Sequence, residues 1–373
     1  MPLVQDAEMQ MLARAAAEFA SGELIDCRQE TDRFPFGPFF AVALEKAYNL
    51  DFLHVTLPVT MGGIGLNTTA LCMVLDKLCQ EDASLGAIIL THCFAQEILI
   101  QAGAGEILKN RAACAEKPEN FLLACPLFNN PSEIHHVARL EKKGDRPVLS
   151  GRIDYLVLGG VADLALVPAA GQGQTSWTYY LVDLRQSSAS ISKPVLSHGI
   201  RCCPAVDIEF QKAEAVLVGF DGGGHALFKA AAAKLSVAAA AISTGIMKGS
   251  FREALTYAKE REQGGRRLTG WSDMQKMLSD MAVHLEIADM VVAEACRCLD
   301  QGVKDWEQKA LAAAIHVQEA AVQVTTDGVQ ALGGVGYMQD FGQEKRFRDA
   351  KHIQACFGLT PLKRIRLLEQ IIA

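Results

Sequence analysis

The sequence is short of most features that assign a chemistry at sight. Its 11 cysteines include no CxxC pair; the nearest spacings are Cys202 beside Cys203, and Cys296 two residues before Cys298. Zinc and iron–sulfur sites are built from recurring cysteine pairs with further Cys or His partners. No metal is therefore expected, and the cysteines read as free thiols used as small buried hydrophobes. Charge of one sign is never concentrated. The formal net charge is -7, and the densest basic cluster is "RRL" at 266–268. Phosphate backbones need a concentrated basic surface, so a nucleic-acid partner is excluded. No stretch of about 18 uncharged apolar residues stands out as a membrane span. The longest low-charge run, "LSVAAAAISTGIM" at 235–247, is Ala-rich and reads as a buried helix. The first residues, "MPLVQDAEMQ", carry acids and lack the basic-then-apolar order of a signal peptide, so the expected location is cytoplasmic.

What is present is a chain of 373 residues, half of them hydrophobic, with room for more than one core. Its texture changes twice. Up to residue 119 the apolar residues recur at helical spacing, as in "AEMQMLARAAAEFASGEL", with the Pro- and Gly-punctuated loop "LPVTMGGIGLN" (57–67) between helices. From 120 to 221 short runs such as "RPVLSGRIDYLVLG", "ADLALVPAAG" and "AVDIEFQKAEAVLVG" alternate apolar with polar between turn residues, which predicts an antiparallel sheet or small barrel. "DGGGH" (221–225) reads as a turn between domains. From 222 to 373 long amphipathic segments return, separated by Gly-marked breaks, and predict an antiparallel helical bundle. The fold class is thus α+β, in the order helices, strands, helices.

Four local patterns then carry a resemblance: "LPVTMGGIGLN", "EALTYAKEREQGGRRL" (253–268), "VQALGGVGYMQD" (329–340) and "EKRFRDAK" (344–351). Together with the element order they are similar to the acyl-CoA dehydrogenase family, over nearly the whole chain. The resemblance implies an N-terminal helical domain, a central antiparallel β-domain and a C-terminal four-helix bundle, in a homodimer or homotetramer. It also implies FAD between β-domain and bundle, with a neighbouring subunit touching the adenine end. An acyl-CoA substrate and an electron-transfer flavoprotein acceptor follow. In the family a carboxylate removes the α-proton of the thioester while hydride leaves for the flavin.

That carboxylate is missing. The family segment falls on "RDAKHIQACFGLT", which puts Phe357 at the base position. An α-proton beside a thioester is weakly acidic, and its removal needs a positioned base of raised pKa; a phenyl ring cannot serve. The alternate base position falls at Leu235, followed by Ser236 and preceded by Lys234, again without an acid. Glu97, in "THCFAQEIL" beside His92 and Cys93, is the candidate substitute. The resemblance assigns cofactor contacts to Arg261, Gln330, Gly333, Gly334 and Thr360, Arg261 being suited to a pyrophosphate by its fixed, forked charge. Gly264 stands where the family has Phe. The ring-side motifs fall on "CPLFNNPS" (125–132) and "YLV" (155–157), which lack the usual polar residues, although Asn129, Asn130 or Ser132 can substitute.

Other candidates have plainer readings. "GGVGYM" lacks the preceding strand and spacing of a dinucleotide loop. His135 and His136 have no third ligand nearby. His352 and Cys356 share a helical face and can border an acyl pocket. Glu344, Arg348 and Asp349 read as an ion network between subunits or helices. Three functions remain open. The chain is a flavoenzyme of altered or lost dehydrogenation; a non-catalytic subunit completing a dehydrogenase partner; or a flavin-free binding protein.

Overall fold

The computed structural model describes residues 2–134, 136–143 and 146–372; His135 lies outside them. The N-terminal part holds α1 (Pro2–Phe19), which runs through a π-helical turn into α2 (Ile25–Thr31), then α3 (Ala41–Asn49), α4 (Thr68–Leu78), α5 (Ala83–Gln101), α6 (Gly105–Cys114) and α7 (Pro118–Phe121). Asn67 ends the Gly-punctuated loop and caps α4 by accepting from Ala70 N–H; Asp82 caps α5 through Ser84 N–H. Nearly every residue of α5 is buried, so it shows no single apolar stripe. It and the later helix Gly224–Glu260 are long and apolar enough to cross a membrane by composition, and both lie mostly inside the folded protein.

The central part has β1 (Leu123–Ala124), β2 (Ala138–Lys143), β3 (Arg146–Val157), β4 (Leu164–Ala170), β5 (Thr178–Asp183), β6 (Ala189–Pro194) and β7 (Ala205–Val218). β2, β3, β7, β5 and β4 pair in sequence, and β4 returns to β2, so the sheet closes on itself. The pairing is antiparallel except at β1–β4 and β2–β4, which are parallel. β3 and β7 lose register between Ile153 and Leu156. This bulge carries Tyr155, a non-glycine residue at φ 56, out of the ladder and towards the helical bundle.

After the turn at 221–223 the chain forms α8 (Gly224–Glu260), a two-strand hairpin of β8 (Glu262–Gln263) and β9 (Arg266–Arg267), α9 (Ser272–Asp300), α10 (Trp306–Leu332), α11 (Gln343–Ile353) and α12 (Thr360–Ile372). α10 packs along α8 and α9, and α11 and α12 pack on it, α11 also touching α8. The short links make the ends of α8 and α10 neighbours, and Tyr257 meets Phe341 there at 5.8 Å between rings.

α11 ties the three parts together. Arg348 pairs with Glu344 at 2.7 Å and with Asp32, and donates to His198 C=O at 2.7 Å. Asp349 accepts from Ile200 N–H and from Lys345, each at 2.6 Å; Lys345 also reaches Asp82 at 3.2 Å. These buried charges are paired and hydrogen-bonded, as burial demands. The Glu344, Arg348 and Asp349 network is therefore a helix-packing device within one chain.

Candidate active site

The helix of "FRDAKHIQACFGLT" stops at Ile353, and residues 354–359 turn before α12 begins. Phe357 lies in that turn at φ 62, a left-handed conformation unusual for a bulky residue. Two contacts hold it. Its N–H donates to Leu127 C=O at 3.1 Å, and its ring packs on Phe94 of α5 at 5.1 Å. Phe94 in turn meets Phe228 of α8 at 5.5 Å. Phe357, where the resemblance puts a base, is thus an apolar contact between α5, α8 and the α11–α12 turn, and it is 4% exposed.

The two ring-side segments do meet. Cys125 and Val157 exchange both backbone hydrogen bonds at 3.2 Å, which sets 125–132 beside 155–157. The side chains there fill the space between sheet and α11. Phe128 lies 4.7 Å from the His352 ring and 6.0 Å from that of Tyr155. Tyr155 Oη is 3.0 Å from His352 Nε2 and 2.6 Å from Ser197 Oγ, and His352 Nδ1 is 3.0 Å from Gly199 C=O. A carbonyl only accepts, so Nδ1 carries the proton and Tyr155 donates to Nε2. Burial lowers the His352 pKa and raises that of Tyr155, so the chain from Ser197 to Gly199 is neutral and closed.

The 125–132 loop and the 155–157 strand end are where the family resemblance puts the flavin ring. Here Leu127 and Phe357 are directly hydrogen-bonded, and Phe128, Tyr155 and His352 pack against one another beside them. The ring-side residues of this chain do not fit a flavin ring.

Beside Phe357 lies a cavity of about 570 Å³, walled by α8, α10, α12 and the 130–133 loop. It is apolar along Phe228, Ala232, Leu311 and Leu362 and polar towards α12. Glu133, which the sequence reading passed over, is its notable carboxylate. The Glu133 side chain is 8% exposed, pairs with Arg366 at 2.9 Å and accepts from Leu359 N–H at 2.8 Å. It presses on Gly358, where a Cβ would come within 2.5 Å of Oε1, so only glycine fits, at φ +120. Its one sequence signal was position: it is the first acid after the ring-side segment. Ser132 and His225 meet at 2.7 Å, Oγ to Nδ1, on the same cavity wall. Lys363, 3% exposed, enters from α12 and donates to Gln318 Oε1 at 3.2 Å and Gln354 C=O at 3.0 Å. Burial lowers its pKa to about 8, while burial pushes Cys356 up to about 12.

The remaining candidates lie elsewhere. Glu97 faces α8 but is neutralised by Lys234 at 2.7 Å and bonded to Gln101 at 2.8 Å; it joins α5 to the first bundle helix, one residue from Leu235. His92 is fully buried, accepts from Leu123 N–H at 3.2 Å and is held neutral by burial, a structural role. His136 accepts from Asp154 N–H at 2.8 Å. Asn129 donates to Asp154 C=O at 3.2 Å and Asn130 to Glu133 at 3.2 Å. Thr360 is the first residue of α12 and half-buried. Arg261, at the end of α8, and Gln330, Gly333 and Gly334, at the end of α10, lie at one end of the bundle. Arg261, Gly333 and Gly334 are exposed, as are Trp271 and Tyr337 near them, and Arg266 covers the Trp271 ring at 3.7 Å.

Comparison with known proteins agrees with this architecture. Residues 222–372 match the acyl-CoA dehydrogenase C-terminal domain, and residues 6–111 its N-terminal domain. The chain is 28% identical over 327 residues to cyclohex-1-ene-1-carbonyl-CoA dehydrogenase of Syntrophus aciditrophicus, covering 85% of this chain and 79% of that protein. It is 27% identical over 381 residues to 3-sulfinopropanoyl-CoA desulfinase of Cupriavidus necator, covering 98% and 94%. Its fold matches butyryl-CoA dehydrogenase of Megasphaera elsdenii with a TM-score of 0.89 at 20% identity, covering 98% of each chain. With helical, β-sheet and helical parts in this order and both terminal domains matched, the chain belongs to the acyl-CoA dehydrogenase family.

Proposed function

We propose that this chain is a subunit that binds an acyl-CoA-type thioester but does not dehydrogenate it unaided, and that it completes the flavin site of a catalytic partner of the same family. The observation that carries the reading is the contact between Phe357 and Leu127: the base position holds a phenyl ring, and the gap for a flavin ring is bridged by a hydrogen bond. A second fact supports the partner. Arg261, Gln330, Gly333 and Gly334, to which the resemblance assigns the adenine end of a neighbour's FAD, lie at one end of the bundle. Such residues serve a flavin whose ring lies in another subunit, whatever becomes of the ring site on their own chain.

This chain's own groups then have limited tasks. The cavity beside Phe357 excludes water along Phe228, Ala232 and Leu362 and offers Lys363 and the Glu133–Arg366 pair to polar parts of a ligand. FAD held at a subunit boundary would supply hydride acceptance, and Arg261, Gly333 and Gly334 would hold its phosphate and adenine portions. Glu133 is committed to Arg366 and Leu359 N–H and has no free role as base. One relative is named for desulfination rather than dehydrogenation, which favours a second reading: loss of a leaving group, with no α-proton removed.

The test is to express the chain alone and together with a family member that keeps the glutamate. The expected result is a colourless chain alone and a yellow mixed oligomer by light scattering and flavin absorbance. A yellow homomer with one flavin per chain overturns the partner reading.

A further inference from the structure

Lys363 is a buried cation without a buried anion. It lines the cavity beside Phe357, and the two partners of its Nζ, Gln318 Oε1 and Gln354 C=O, are neutral. Among the described residues no carboxylate stands within salt-bridge distance of it; the nearest acid on that wall, Glu133, is taken by Arg366. Three N–H donors serve two acceptors, so one remains. A second donor points the same way. Arg366 Nε is buried without a partner, although its Nη2 pairs with Glu133. A charge removed from water and left unpaired is costly, and a ligand anion beside it offsets that cost.

We propose that Lys363 recognises an anionic oxygen of the ligand in this cavity, so that the thioester it takes is one carrying a negative group there. The reading rests on thioester binding in that cavity, proposed above. A carboxylate on the acyl group and a phosphate of the CoA arm offer the same chemistry. Lys363 is six residues beyond Phe357 and shares its cavity, which favours the acyl carboxylate. Arg366 Nε offers a second donor one helical turn along α12.

The experiment is calorimetric titration of the full chain, and of Lys363→Met and Lys363→Arg, with succinyl-CoA, butyryl-CoA and free CoA. Lys363→Met keeps the apolar stem and removes the charge. The proposal expects succinyl-CoA to bind the unmodified chain more tightly than butyryl-CoA, by about ten-fold or more. Lys363→Met abolishes the difference, and Lys363→Arg retains most of it. An equal loss for all three ligands in Lys363→Met also supports recognition of an anionic oxygen and assigns it to the CoA arm. Thermal unfolding separates this role from a merely structural one: Lys363→Met unfolds at higher temperature than the unmodified chain if the charge waits for a ligand. If Lys363→Met binds every ligand as well as the unmodified chain, or unfolds earlier with unchanged binding, the proposal is overturned. If no CoA compound binds the unmodified chain, thioester binding itself fails, and this inference with it.

Discussion

The N–H of Phe357 donates to the carbonyl of Leu127 at 3.1 Å, and that bond joins the α11–α12 turn to the 125–132 loop. Because the phenyl ring is held by Phe94 at the same time, the turn is fixed from both sides. Truncating a buried Phe costs about 3–5 kcal/mol. Phe357→Ala and Phe94→Ala are each expected to lose that much in denaturant unfolding. The double variant should lose less than the sum, by about 0.5–1.5 kcal/mol, since the two rings share one contact. Strict additivity would mean that the rings do not support each other.

The backbone at Phe357 gives an independent check. At φ 62 an alanine is strained and a glycine is not. Phe357→Gly is therefore expected to be no less stable than Phe357→Ala, the reverse of the order at a helical position. Equilibrium unfolding of the two variants decides it.

Tyr155 tests the filled ring site. Its hydroxyl links Ser197 to His352, and removing it leaves a buried imidazole nitrogen without a donor. Tyr155→Phe should cost about 1–3 kcal/mol. A neutral substitution would mean that the cluster opens readily, leaving room for a ring.

A pH dependence follows from Lys363. The folded value, about 8, lies below the ordinary lysine value because of burial. The unfolded chain therefore binds more protons between about 8 and 10.5. Stability gained from this group is fully present above that window and is lost as pH falls through about 8. Each unit is worth about 1.4 kcal/mol, so the full contribution is of the order of 3 kcal/mol. Cys356, Arg366 and Glu133 are the charged or titratable groups that act on it. The check is the difference in unfolding free energy between the unmodified chain and Lys363→Met from pH 7 to 10.5. It should shrink as pH rises, and a flat difference contradicts the assignment.

Arg261 is exposed and touches little of its own chain, so Arg261→Ala should leave stability within about 0.5 kcal/mol. In the mixed oligomer it should lower flavin retention by about ten-fold, the loss of one charge-assisted hydrogen bond. Unchanged flavin occupancy removes Arg261 from the phosphate contact.

The order of helices and strands was legible because period and turn residues report local structure directly. The phenylalanine in "ACFGLT" was legible too, and the structure places Phe357 in the turn between α11 and α12. The filling of the ring site was not. It depends on a bulge that swings Tyr155 out of β3 and on the packing of Phe128 and His352, residues far apart in sequence. Glu133 escaped notice for the same reason: its value comes from Gly358 and Arg366, more than two hundred residues away. Glu97 attracted notice as a carboxylate on an apolar helix, and its partner Lys234 lay in a different helix.

The most direct measurement is flavin bleaching under anaerobic conditions. The isolated chain is mixed with excess FAD and titrated with a panel of acyl-CoAs, alongside Phe357→Glu. The account predicts no bleaching by either protein, because restoring a carboxylate does not clear the space between Leu127 and Phe357. Bleaching of the unmodified chain at a rate normal for a dehydrogenase would contradict it, since a base and a ring site would then have to exist where Phe357, Tyr155 and His352 now stand.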